Sequence, residues 1–293
     1  MILTTPEDRF VGLPDYPFPP RHFDWEGVSI HYLDEGTGLP VVLFHGEPTW
    51  SFLYRHMIPP LVTAGYRVIA PDYPGFGKSD KPTDPGFYTY ERLVASMLAF
   101  VDHLDLTDAT AVVQDWGGPI GLRVAVQRPQ RFRRLSILNT GLFTGATWSN
   151  PAFDAWRGFV ETNPDLPIAM VMGNAATSPW SPAVIAGYEA PFPTQGHKVG
   201  AWRLPLIVPR TEDDPGATEM AATHASLGSW TNPVQVLFAD TDPIFSLRAG
   251  QRLVDHIPGA TELEVVAGAG HFLQEEAGPE VAARLISFLA TSR

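Results

Sequence analysis

Short apolar runs typical of buried β-strands alternate along most of the chain with longer runs that have helical periodicity. This alternation predicts a mostly parallel sheet with helices on both faces, because parallel neighbouring strands need a long crossover connection, usually a helix. The strand-like runs are residues 28–33, expected at an edge, 40–44, 67–70, 111–114, 135–138, 234–239 and 262–266. Helices are predicted over residues 90–104, 117–127 and 279–289.

The alternation is interrupted between residues 141 and 228, where proline, tryptophan, methionine and alanine are frequent and the helical runs are short. We interpret 141–228 as a helical cap inserted into a core formed by residues 1–140 and 229–293. An insertion between two strands at the carboxyl edge of an open α/β sheet lies over the crevice where such sheets bind ligands. The cap is therefore expected to cover the site.

Composition excludes several classes of protein. A chain of 293 residues, 44% hydrophobic and 18% charged, has enough apolar material for one large core. A formal charge of −12 disfavours a nucleic-acid or anionic-membrane partner, because both attract clusters of lysine and arginine. The absence of cysteine excludes disulfides and thiolate chemistry. No secretory signal and no apolar run of the roughly 18 residues that cross a bilayer is seen, so a cytoplasmic location is expected.

A carboxylate stands where a strand changes abruptly into a helix. Residues 113–118 read VQDWGG, so Asp115 follows an apolar strand, and two glycines open the next helix. A turn of this kind exposes its side chain above the sheet, where it can act as a nucleophile. A carboxylate nucleophile attacks saturated carbon and forms an ester. Asp115 is therefore the candidate nucleophile.

Turnover of such an ester requires a base that activates water. His271 is the candidate, because it follows a strand and a glycine-rich loop that would leave its imidazole free to reach a cleft. The imidazole in turn needs a carboxylate that orients it and stabilises its charged form. Asp240 and Asp242 both follow the preceding strand, and we favour Asp242 because it lies farther into the loop. The resulting order is nucleophile, acid, histidine.

Four segments spread over nearly the whole chain match the pattern of one family: 45–50 (HGEPTW), 113–118 (VQDWGG), 190–193 (APFP) and 270–272 (GHF). In these segments the chain resembles the haloalkane dehalogenases. The resemblance implies an α/β-hydrolase fold, with a mostly parallel eight-stranded sheet flanked by helices and an inserted helical cap. It also implies hydrolysis of halogenated alkanes to alcohol, halide and proton. A small halogenated hydrocarbon and a halide ion would be the binding partners, and no cofactor or metal would be needed.

Two positions point to subfamily I, whose catalytic acid follows the seventh strand of the fold. Asn139 and Thr140 follow the sixth strand, where the sister subfamily carries its catalytic glutamate. Glu47 stands where the sister subfamily has a halide-binding asparagine. The resemblance therefore assigns the catalytic acid to Asp242.

The resemblance also implies residues for halide and substrate binding. Trp116 would donate its indole N–H to the leaving halide, with Trp156 as the second donor and Trp180 in reserve. The backbone N–H groups of Trp116 and Glu47 would form the oxyanion hole, and the Glu47 side chain would help to place the hydrolytic water. The positions that resemble pocket-lining residues of the family are Phe153, Pro205, Val208, Ile244 and Phe245.

Three other functions are weighed against this one. An epoxide hydrolase shares the aspartate nucleophile and the DWGG segment, but that family usually supplies two cap tyrosines and this cap contains one, Tyr188. A fluoroacetate dehalogenase would carry arginines after the nucleophile, where Trp116 stands. A non-catalytic binding protein is the least expected, because neither a triad member nor the halide donor is missing. The sequence does not indicate an oligomeric state.

Overall fold

A computed structural model describes residues 1–145 and 150–292. The strands are β1 (Ile2–Leu3), β2 (Arg21–Trp25), β3 (Val28–Glu35), β4 (Pro40–Phe44), β5 (Arg67–Pro71), β6 (Lys81–Pro82), β7 (Ala109–Gln114), β8 (Phe132–Leu138), β9 (Val234–Ala239) and β10 (Ala260–Val266). The helices are α1 (Ile58–Thr63), α2 (Tyr90–His103), α3 (Gly117–Gln127), α4 (Pro151–Thr162), α5 (Ile168–Ala175), α6 (Pro182–Glu189), α7 (Val199–Leu206), α8 (Ala217–Leu227), α9 (Leu247–His256), α10 (Leu273–Glu276) and α11 (Gly278–Thr291).

The main sheet has eight strands in the order β10-β9-β8-β7-β4-β5-β3-β2. Neighbours from β10 to β5 pair in parallel, and β3 and β2 add two antiparallel pairings at one side. The mostly parallel eight-stranded sheet predicted from the sequence is therefore confirmed. Strands β1 and β6 form a separate two-stranded ribbon.

The prediction that 28–33 forms an edge strand was wrong, because β3 lies between β5 and β2. The edge strand is β2, which the sequence reading missed. Its side chains are mostly exposed or half-buried, and Trp25 alone among its five residues is buried. An edge strand of this kind carries charged and polar residues and has no continuous apolar run to mark it.

Apolar cores lie on both faces of the sheet. Along β4, Val42 and Phe44 point into one core and Val41 and Leu43 into the other, following the two-residue period of a strand. Helices α2 and α3 cover the first core, and α1 and α11 cover the second. Burial on both faces explains why β4 is apolar throughout.

The carboxyl ends of the parallel strands meet at one edge of the sheet, and helices α4 to α8 come between β8 and β9. In the described part of 141–228 no residue is assigned to a strand. This helical content supports our proposal that 141–228 is a cap on a core of 1–140 and 229–293. Within residues 1–145 and 150–292, no helix is both long enough and apolar enough to cross a membrane.

Candidate active site

Asp115 occupies the turn between β7 and α3 in a left-handed backbone conformation, with φ of +51°. Hydrogen bonds hold this uncommon conformation for a non-glycine residue. The Asp115 N–H donates to the Asn139 carbonyl (3.1 Å), and the Asp115 carbonyl accepts from the Gly118 N–H (2.9 Å) and the Thr140 hydroxyl (2.6 Å). These bonds fix the turn, and the Asp115 side chain lines the cavity above the sheet.

Small residues make this turn possible. A Cβ atom on Gly117 would lie 2.1 Å from the Phe44 carbonyl oxygen, and one on Gly118 would lie 1.9 Å from the Thr140 Oγ1. A Cβ on Gly46 would lie 2.4 Å from the Asp115 Cβ. The glycines thus permit helix α3 and the loop after β4 to approach the turn closely.

Glu47 follows β4 and contacts the nucleophile candidate through its backbone. Its N–H donates to Oδ1 of Asp115 at 2.7 Å. Burial, and then the charge of Asp115, raises the pKa of the Glu47 carboxyl well above its usual range. The side chain is 6% exposed, and its Oε1 has no hydrogen-bond partner in the described part of the chain. This oxygen is thus available to a molecule in the cavity.

The structure brings Asp242, and not Asp240, to His271. The Nδ1 atom of His271 lies 2.9 Å from Oδ2 of Asp242. The other oxygen of Asp242 accepts the N–H groups of Ile244 (2.7 Å) and Phe245 (3.1 Å), which fix the carboxylate. Asp240 is exposed, and its Oδ1 accepts the N–H of Gly268. The geometry therefore supports the choice of Asp242 as the acid that orients the histidine.

The other ring nitrogen of His271 faces Asp115, with Nε2 3.6 Å from Oδ2 of that carboxylate. Burial lowers the pKa of His271, but the charges of Asp242 and Asp115 outweigh burial and raise the pKa to about 10. The two carboxylates thus favour the charged form of the imidazole. Removal of the charge on Asp115 would weaken this effect and lower the pKa of the imidazole.

Two side chains that hold the histidine loop were missed by the sequence reading. Gln114 donates to the His271 carbonyl (3.1 Å), and Asn139 donates to the carbonyls of Gly270 (2.9 Å) and His271 (3.2 Å). The carbonyl oxygen of Asn139's side chain also accepts the Ala239 N–H at 2.8 Å. A polar residue at the end of a buried strand was a usable signal, because buried amides need partners.

A cavity of about 380 Å³ lies beside Asp115 and His271 and has a mostly apolar wall. Its size lies within the usual range for small-molecule sites. All five predicted wall residues line it, and so do the polar candidates Glu47, Asp115, Trp116, Trp156 and His271. The sequence reading missed ten further lining residues, which are Pro48, Phe143, Ala152, Phe159, Met170, Val171, Asn174, Ala175, Pro243 and Phe272.

Trp116 and Trp156 both line this cavity, one from the turn after β7 and one from α4. Among the residues that the structure describes, neither indole N–H donates to a protein acceptor, so both are available to a ligand. Trp180 differs, because it is not among the described lining residues and packs against Tyr188 and Phe272. Trp156 is therefore better placed than Trp180 to contact a ligand beside Asp115.

Tyr188 is buried in α6, and its hydroxyl donates to Oε2 of Glu275 at 2.5 Å. The same carboxylate accepts hydrogen bonds from both terminal nitrogens of the buried Arg55. Among the residues that the structure describes, Tyr188 also does not line the cavity. The hydroxyl is thus committed to a buried ionic network away from Asp115.

Comparison with known proteins agrees with this geometry. A family model described as alpha/beta hydrolase fold matches residues 40–173. The structure superposes with a TM-score of 0.91 on a haloalkane dehalogenase from Paraglaciecola agarilytica, described as tetrameric. The two chains are 35% identical, and the match covers 97% of each. The α/β-hydrolase fold predicted from the sequence motifs is confirmed by these matches.

Two curated relatives cover almost the full length of the chain. A haloalkane dehalogenase from Psychrobacter cryohalolentis is 44% identical over 298 aligned positions, with 98% of each chain covered. Another from Mycolicibacterium paratuberculosis is 43% identical over 295 positions, again with 98% of each covered. Family membership inferred from four short segments thus extends over the whole chain, which belongs to the haloalkane dehalogenases of the α/β-hydrolase fold.

Proposed function

We propose that this enzyme, a hydrolase acting on carbon–halogen bonds, works through a covalent alkyl ester on Asp115. In the first step Oδ2 of Asp115 attacks the halogen-bearing carbon in line with the leaving group. The carbon–halogen bond breaks, halide leaves with the bonding electrons, and an ester forms. Oδ1 is already held by the Glu47 N–H (2.7 Å), which leaves Oδ2 as the attacking oxygen.

Trp116 and Trp156 are the proposed donors to the departing halide. Their indole N–H groups lack protein acceptors within the described residues and line the same cavity as Asp115. A neutral donor stabilises developing negative charge without pairing with the attacking carboxylate. A lysine in the same place would pair with Asp115, weaken it as a nucleophile and retain the halide.

In the second step His271 accepts a proton from a water molecule, which attacks the ester carbonyl carbon of Asp115. Asp242 stabilises the imidazolium that forms, and the backbone N–H groups of Glu47 and Trp116 stabilise the oxyanion. Collapse of this intermediate breaks the bond to the alcohol oxygen, which takes a proton from the imidazolium, and the regenerated carboxyl group loses its remaining proton to solvent. Alkylation of Asp115 neutralises one of the two charges that raise the pKa of His271, so the first step prepares the base for the second.

One observation carries the proposal: a single cavity contains the nucleophile, the oriented histidine and two free indole donors. The same geometry argues against the epoxide hydrolase, which must protonate a leaving alkoxide. Its cap tyrosines do this, and Tyr188 is held by Glu275 outside the described cavity lining. The assignment to subfamily I, with Asp242 as the acid, is part of the proposal and is supported by the 2.9 Å contact with His271.

The test compares halide release from chloro-, bromo- and iodoalkanes with the hydrolysis of terminal epoxides. We expect halide release and no epoxide turnover. Asp115→Ala should abolish halide release and leave the protein folded, as judged by circular dichroism. Asp240→Ala is a matched control, because Asp240 is also a loop aspartate near the site but does not contact His271. Retained turnover by the Asp115 variant, or epoxide hydrolysis without halide release, would refute the proposal.

A further inference from the structure

One carboxylate joins the histidine loop to the cap. Oε2 of Glu276, at the end of the short helix α10, accepts the N–H of Gly270 at 2.6 Å. Oε1 of the same side chain accepts the N–H of Thr177 at 2.6 Å. Both bonds are short and link a charged acceptor to backbone donors, which makes them about twice as strong as bonds between neutral groups.

The two donors lie close in sequence to residues that line the active-site cavity. Gly270 directly precedes His271, so its position limits where the imidazole can lie. Thr177 comes two residues after the end of α5, whose residues Val171, Asn174 and Ala175 line the cavity. The segments are closely packed here, because a Cβ on Gly270 would lie 2.9 Å from the Thr177 side chain.

Three further side chains contact the histidine loop from the carboxyl ends of β7, β8 and β9. Gln114 and Asn139 bind its carbonyl groups, and Asp242 binds the imidazole. Glu276 binds the loop through an N–H group and extends the same network to Thr177, in the segment that follows α5. Asp115, by contrast, is bound by Glu47 and Thr140, and no hydrogen bond joins it to Glu276 in the described residues.

We propose that Glu276 is a positioning residue for the hydrolytic half of the reaction. By bridging Gly270 and Thr177, it holds His271 and the α5 wall at a fixed separation, so that the water attacking the ester is confined beside the imidazole. Alkylation of Asp115 does not use His271, so it should depend less on this bridge than ester hydrolysis does. The inference rests on the proposed two-step function and adds a residue to its second step.

The test is rapid-quench kinetics with a bromoalkane, which separates the halide burst from alcohol formation. Glu276→Gln keeps the side-chain shape, but its NH₂ group faces one of the two N–H donors, so one bond is lost; Glu276→Ala loses both. We expect alcohol formation to slow by about tenfold in the Gln variant and more in the Ala variant, since misplacing a group by an ångström can cost up to about a hundredfold. The halide burst should keep its rate within about twofold, so that alkyl-enzyme accumulates.

Glu280→Gln is the matched control, because Glu280 is an exposed glutamate on α11 that pairs with Arg284 and lies outside the cavity lining. It should leave both rate constants unchanged. Equal slowing of both steps by the Glu276 variants, or a lowered melting temperature with unchanged rates, would overturn the positioning role. Absence of halide release by the wild-type enzyme would instead overturn the proposed function, so the two failures are distinguishable.

Discussion

Trp156→Phe tests the proposed halide site at the residue whose role depended most on family resemblance. Trp156 is partly buried in α4, lines the cavity and stacks on Phe159, with ring centroids 6.0 Å apart and planes inclined by 22°. Phenylalanine keeps an aromatic ring at this position and removes the N–H. Because that N–H has no protein acceptor in the described residues, its removal leaves no protein group without a partner.

The expected loss follows from the strength of the bond to a developing anion. A hydrogen bond to a charged group contributes about 1.5–3 kcal/mol. At about 1.4 kcal/mol for each factor of ten, kcat/KM for a bromoalkane should fall by about 10- to 150-fold. The mostly apolar wall of the cavity favours the upper part of this range, because water competes less for the ion. Inhibition by added bromide should weaken in parallel.

Halide release at low substrate concentration measures kcat/KM, and quenching of tryptophan fluorescence by bromide measures binding. Trp180→Phe is the matched control, because that indole N–H is buried outside the described lining of the cavity. The control should retain kcat/KM within about twofold. Normal kcat/KM in the Trp156 variant together with a large loss in the Trp180 variant would refute the assignment.

Three further predictions concern Tyr188, the turn at Asp115 and the proposed base His271. Tyr188→Phe removes a bond to a buried carboxylate, so it should lower the free energy of unfolding by about 1–3 kcal/mol in urea titrations and leave halide release nearly unchanged. Gly118→Ala should lower the free energy of unfolding by about 1–3 kcal/mol, because the new Cβ would lie 1.9 Å from Thr140 Oγ1. Gly158→Ala on α4 should not lower it, because a Cβ there would lie in open space. The pKa of His271, raised to about 10, should fall once the carboxylate of Asp115 is esterified. Because the imidazole must be neutral to act as a base, the rate of ester hydrolysis in stopped-flow assays should fall as the pH drops through that lower pKa. A rate that rises on acidification would contradict this.

The residues that follow parallel strands were predictable from the sequence. Asp115, His271 and Asp242 each follow an apolar run, and strands of a parallel sheet bring such ends to one edge. The turn at Asp115 was recognisable in the sequence from the two glycines that follow it. The structure requires both glycines, because a Cβ atom at either position would clash with neighbouring atoms. Local pattern and global fold agree at this point, as expected for a site built on a rigid sheet.

The remaining features depend on contacts between distant parts of the chain. Strand β2 has no apolar run, and its place in the sheet is determined by pairing with β3. The sequence analysis did not single out Glu276, whose bridge to Thr177 spans 99 positions. Asn174 has no local pattern that would place it on a cavity wall. No periodicity encodes such contacts, because tertiary packing determines them.

The most direct test of the covalent mechanism is a single turnover in water enriched in oxygen-18, with enzyme in excess over a bromoalkane. Attack of water on the ester carbonyl places the heavy oxygen in the Asp115 carboxylate, while the alcohol takes its oxygen from the unlabelled side chain. Mass spectrometry should therefore find the label in the peptide that contains Asp115 and unlabelled alcohol. Label in the alcohol of the first turnover, with none in that peptide, would contradict the account.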